Sequence, residues 1–173
     1  MASTSELQHA EDRRNHIVGW AHFGVLYNKH FTYSEGDDRM SAIGTKPGTL
    51  PVTCDCSAFV TLCYYWGGAP DPCGLGYDHE GYTGSLLGHD NHIGLITKNA
   101  KGIDKVDVLP GDLIVYGPGT GWHVAMIVVA GIDPITVSMG EDGDPHFVKV
   151  SQDGREPQTY LRCETRLRPG FVA

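Results

Sequence analysis

The sequence predicts an α+β domain, with N-terminal helices packed on a C-terminal antiparallel β-sheet. Three observations predict it. Apolar residues recur at helical spacing near the N-terminus. A second apolar run, Cys56 to Trp66, ends abruptly at Gly67-Gly68. Beyond residue 110 the chain becomes a series of short β-branched segments split by turn formers. Helices first and strands later is the α+β pattern.

The elements follow in order. Ser3 or Ser5, with Glu6 or Gln8 three residues on, reads as a capping box. Ile17, Trp20, Ala21 and Gly24 continue it at helical spacing, so a first helix is predicted from about Ser5 to Asn28. Residues 29–53 are rich in turn formers and read as a long surface loop. The second helix spans Cys56 to Trp66; Pro70 and Pro72 keep the chain from resuming it. Residues 69–110 are Gly- and Asp-rich, with a short helix near Thr83–Leu87. A loop-dominated stretch of this length often walls a groove. Five strands are then predicted in "DLIVYG", "HVAMIVVA", "ITVSM", "HFVKVS" and "TYLRC". The turns between them are "GPGTG", "GIDP", "EDGDP" and "QDGREP".

The 173 residues suit one domain, taken as residues 1–173. With 40% hydrophobic and 20% charged residues, the composition is that of a globular protein, not a disordered one. A net charge of −8 argues against nucleic acid or an anionic membrane as the main partner. The apolar runs are too short to span a bilayer. The N-terminal "MASTSELQHAEDRRNH" has no apolar core of a secretory signal. An odd number of cysteines, five, argues against a disulfide scaffold and for synthesis in a reducing compartment. Repeats and low-complexity segments are absent.

"TCDCSAFVTLCYYWGG" holds the chemistry. Cys54 and Cys56 are too close for the usual zinc pair, which separates its ligands by two to four residues. A second Cys or His pair is missing; His89 and His92 stand alone. Neither a metal nor another cofactor is implied. Cys54 and Cys56 do not readily bridge each other either. The remaining reading is a nucleophile. Cys56 falls at the first turn of a helix, where unpaired N–H groups and the macrodipole favour a thiolate. The competing reading is a small buried hydrophobe, which is the reading for Cys63 beside Phe59 and Val60. Of nine histidines, His123 opens a strand just after a Gly-rich turn, where a rigid sheet can aim it at a helix start.

These residues resemble a known family. "CDCSAFV" followed by "LPGDLIVYGPGTGWHVAMIV" is similar to the NlpC-type branch of papain-like cell-wall peptidases. That family carries D-C-S-(G/A)-(F/L)-V at a helix start, then G-D-L and H-V-(G/A) strands. Both blocks are present in that order, with Ala58 where Gly is commoner. The resemblance implies a papain-like fold and a catalytic Cys56–His123 pair. Cys56 would attack an amide of the peptidoglycan stem or cross-bridge, and His123 would keep it ionised and protonate the leaving amine. The Cys56 N–H, with the Tyr33 hydroxyl, would hold the oxyanion. Asp55 and Ser57 would line the groove and bind a free amine of the stem peptide; Asp55 as a helix N-cap is the rival reading. Trp122 would form a groove wall or sit in the core.

The third catalytic member departs from the pattern. The family often places a His on the strand after the His strand, and "ITVSMGEDGD" has none. Ser138, Glu141 and Asp142 are the candidates. Glu141 is the choice, because a carboxylate best stabilises an imidazolium.

A narrower likeness links "FTYSEGDDRM" and "YYWGGAPDPCGLGYDHEGYTGSLLGH" to the N-terminal peptidase domains of endolysins from phages of mycobacteria and related actinobacteria. It implies synthesis in the host cytoplasm without a signal peptide and action at the wall after release. The ending "LRPGFVA" suggests an excised domain or a minimal lysin, expected as a monomer. The implied partner is peptidoglycan. An amidase or acyltransferase using the same pair, a non-catalytic wall-binding module and a structural zinc protein are the alternatives. The residues leave the scissile amide open: after D-Glu, in the cross-bridge, or at the lactyl group.

Overall fold

A computed structural model describes residues 2–89, 105, 107–141 and 143–172. His92, Asp142 and much of the second half of the 69–110 segment lie outside the described residues. Helix α1 spans Thr4–Leu26. Its N-cap is Ser3, and the capping box is the Ser3–Glu6 pair: the Ser3 N–H donates to Glu6 Oε2 at 2.7 Å and the Glu6 N–H to Ser3 Oγ at 3.3 Å. Helix α2 is Cys56–Gly67, and Gly68 closes it in the left-handed conformation at φ 80°. Helix α3, Thr83–Gly88, is the short helix predicted in the long loop.

The α2 helix is apolar on nearly every side because it is buried between α1 and the sheet. Close contact with α1 needs two glycines. A Cβ on Gly24 would lie 2.6 Å from the Phe59 ring, and one on Gly67 would lie 2.7 Å from Ile17 Cγ1.

Residues 29–53 are not simply a surface loop. Strand β1, Phe31–Tyr33, pairs in parallel with β2, Val52–Cys54, setting Tyr33 beside Cys54. Met40, Ala42 and Ile43 between them are buried. Three-residue strands are too short to show an alternation, so turn formers dominated the sequence signal.

The main sheet has β3 (Leu113–Tyr116), β4 (His123–Val129), β5 (Ile135–Gly140), β6 (Gly143–Lys149) and β7 (Pro157–Leu161). Their order is β6-β5-β4-β3-β7, and every pairing is antiparallel. The two edge strands β6 and β7 start and end earlier than predicted. Gly143 and Pro157 open them, and Pro is tolerated as the first residue of an edge strand.

The sheet uses its two faces differently. Val124, Met126 and Val128 join the core under the helices, while Ile114, Tyr116 and Ala125 pack with Val150 and Tyr160. A buried ion triad ties the layers together. Asp112, just before β3, meets Arg14 of α1 at 2.9 Å and Arg162, after β7, at 2.8 Å. Its carboxylate also accepts the Leu109 N–H at 2.8 Å. Among the described residues, no helix is long and apolar enough to cross a membrane.

Candidate active site

Cys56 is the first residue of α2, and its start is heavily fastened. Asp55 is the N-cap: Oδ1 accepts the Ala58 N–H at 2.6 Å and the Ser57 hydroxyl at 2.8 Å. Arg39 approaches Asp55 Oδ2 at 3.3 Å and Ser57 Oγ at 3.4 Å, and donates to the Gly81 carbonyl at 2.8 Å. Arg39 therefore clamps the helix start to the 69–82 loop. Nothing in the short charged run "GDDR" distinguished it as a partner of Asp55; only the fold brings the two together.

The Cys56 thiol is 8% exposed. Backbone N–H groups of Val124, Ser57 and Cys56 itself turn toward its sulfur. Val124 is the residue after His123, so the thiol lies against the first peptide of β4. Burial nevertheless dominates. It pushes the Cys56 thiol up to about 11, with the nearby Asp55 charge adding to the rise. The thiolate-favouring helix start expected from the sequence is present, but desolvation outweighs it.

His123 is buried at the mouth of β4 and stacks on Tyr116, ring centroids 5.8 Å apart. Its Nε2 meets Ser138 Oγ at 2.6 Å. Register explains the pairing: Ser138 lies opposite Ala125, which shares a strand face with His123. Glu141, chosen from the sequence as the orienting group, stands exposed in the turn after β5. Strand alternation carries the Ser138 side chain inward, whereas Glu141 lies beyond the strand end. Asp142 lies outside the described residues.

Tyr33 is close enough to Cys56 for the two charges to interact, but its hydroxyl donates to Glu35 at 2.6 Å. Burial first, then Glu35, pushes the Tyr33 hydroxyl well above its ordinary range. Ser57 is 2% exposed and belongs to the helix cap. Trp122 is 74% exposed on the β3–β4 turn, outside the core. None of the five cysteines is in a disulfide and all are buried, and Cys54 and Cys63 lie near each other. Among the described residues, no group of three or more His, Cys, Asp or Glu side chains is gathered to hold a metal.

No family model and no curated relative matches the chain. Solved structures do. The resuscitation promoting factor interacting protein RipA, in a mutated form, superposes with a TM-score of 0.56 at 17% identity over 91% of this chain. A hypothetical invasion protein of Mycobacterium tuberculosis gives 0.56 at 18% identity over 90%. The chain spans 64% of each of those two chains. The P60 domain of an antigen from M. avium paratuberculosis gives 0.52 at 17% identity, covering 93% of this chain and 97% of that one. The fold is thus the α+β, papain-like arrangement of P60 domains, with helices first and an antiparallel sheet behind them.

Proposed function

We propose that the protein is a cysteine hydrolase of the NlpC/P60 type that cleaves an amide bond of bacterial peptidoglycan. The observation that carries it is the meeting of α2 and β4. The Cys56 thiol faces the Val124 N–H, one residue from His123, and His123 is braced by Ser138. A nucleophile, a base and a group fixing the base is the arrangement amide hydrolysis needs.

Each residue has a role in this reading. In the resting enzyme Cys56 is a neutral thiol, because burial holds its proton on. His123 takes that proton as sulfur attacks the amide carbonyl, then gives it to the leaving amine. Water releases the acyl group from Cys56 by the same base. Ser138 positions the ring through its hydroxyl. Backbone N–H groups at the start of α2, that of Cys56 foremost, hold the developing oxyanion. Tyr33 joins them only if its hydroxyl leaves Glu35. Asp55 and Ser57 hold the helix start rather than the substrate, and Trp122 walls the groove.

The mycobacterial source of the structural neighbours and the sequence likeness to actinobacteriophage lysins support an endolysin acting on actinobacterial walls. Turbidity clearing of purified actinobacterial walls tests the reading. Wild type should clear them and C56A, folded by circular dichroism, should not; equal clearing by C56A would sink it.

A further inference from the structure

The β3–β4 turn carries a feature that the catalytic pair does not use. Trp122 projects its indole into solvent one residue before His123. The ring is not loose. It lies flat on Gly117, whose φ is +94°, and a Cβ there would fall 2.7 Å from Trp122 Cγ. The Trp122 N–H donates to the Tyr116 carbonyl at 2.8 Å, and Gly121 closes the turn onto Pro118 at 3.1 Å. The indole lines a cleft of about 560 Å³ shared with Pro118, Pro157, Arg155 and Gln158. Gln158 is fixed by donating to the Gly119 carbonyl at 2.9 Å, and Arg155 by donating to Asp153 at 2.9 Å. The cleft is of ligand size.

A rigid, flat, apolar face with amide and guanidinium groups at its edge suits one chemistry well. A pyranose presents a face of C–H groups and a rim of hydroxyl and N-acetyl groups. The face stacks on the indole while the rim meets Gln158 and Arg155.

The helix side of the site points the same way. A free amine at the stem peptide's N-terminus would need an open carboxylate. Asp55 has one oxygen on Ala58 and Ser57 and the other on Arg39, and Arg39 is itself held by Gly81. The Arg39 guanidinium beside that carboxylate opposes an ammonium ligand by like charge.

We propose that the Trp122 cleft is a saccharide subsite, so that the enzyme acts on stem peptides still joined to the glycan strand. This rests on the proposed function above and names the form of substrate it takes.

Three substrates with the same stem peptide test it: N-terminus free, N-terminus acetylated, and N-terminus joined to the disaccharide through its lactyl group. For wild type, kcat/KM should be roughly tenfold higher for the disaccharide form than for either bare peptide, about 1.4 kcal/mol. Acetylation should make no difference between the bare forms. W122A should bring the disaccharide preference to about one, and W122F should restore part of it. Q158A should lower the same ratio, and serves if W122A fails to fold. A preference for the free amine would overturn the proposal, as would a disaccharide preference that survives W122A and Q158A. Cleavage of none of the three by wild type would count against the peptidoglycan reading itself.

Discussion

The two walls of the candidate site are built from different materials. On the helix side, charges do the positioning: Asp55 caps α2, Arg39 grips Asp55, and both serve a backbone. On the sheet side, the described contacts of His123 are of another kind: a serine hydroxyl at its Nε2 and a tyrosine ring against its face. The difference has a chemical reason. A helix start presents unpaired N–H groups, which a carboxylate satisfies well. A histidine that gives and takes a proton needs its ring held at a fixed angle, which a hydroxyl at one nitrogen and a ring against its face supply.

The comparison can be broken in several ways. The largest effects belong to the reacting groups. C56A should abolish wall hydrolysis, and H123A should lower kcat/KM by several orders of magnitude. Next comes the remote ion triad, which holds α1 to the sheet. D112A strands Arg14 beside a buried gap and should cost about 3–5 kcal/mol in urea unfolding. On the sheet side, S138A should cost about tenfold in kcat, with KM nearly constant, because Ser138 acts through His123. E141Q should change kcat less than twofold. If E141Q costs more than S138A, Glu141 orients the base and the role given to Ser138 fails. The helix-side counterpart, D55A, should cost about 1–2 kcal/mol of stability through the lost cap.

The pH dependence separates the two walls further. With its thiol pushed up to about 11, Cys56 is a thiolate in on the order of one molecule in 10⁴ at pH 7. The raised value means that the protonated form is favoured by folding. Iodoacetamide labelling of Cys56 should therefore accelerate steadily as pH rises from 7 toward 10. A labelling rate already flat below pH 7 would show a thiolate–imidazolium pair instead.

Much of this was legible before the fold was known. Cys56 at a helix start, His123 at a strand mouth and the order of helices and strands follow from periodicity and turn formers, which act locally. What escaped depends on register and on contacts distant in sequence. Ser138 reaches His123 because β5 pairs with β4 so that Ser138 lies opposite Ala125, a register that the sequence does not display. Arg39 meets Asp55 only after β1 and β2 pair and bring the intervening loop back over α2. The height of the Cys56 pKa depends on how deeply the sheet buries the helix start, which no motif encodes.

The central claim is that Cys56 cleaves an amide of peptidoglycan. Mass spectrometry of muropeptides from purified actinobacterial walls tests it most directly, comparing wild type with C56A. Wild type should give fragments that have gained one water at an amide of the stem, cross-bridge or lactyl group, with the glycan bonds intact, and C56A should give none. Cleavage confined to the glycan strand, or the same amide products from C56A, would contradict it.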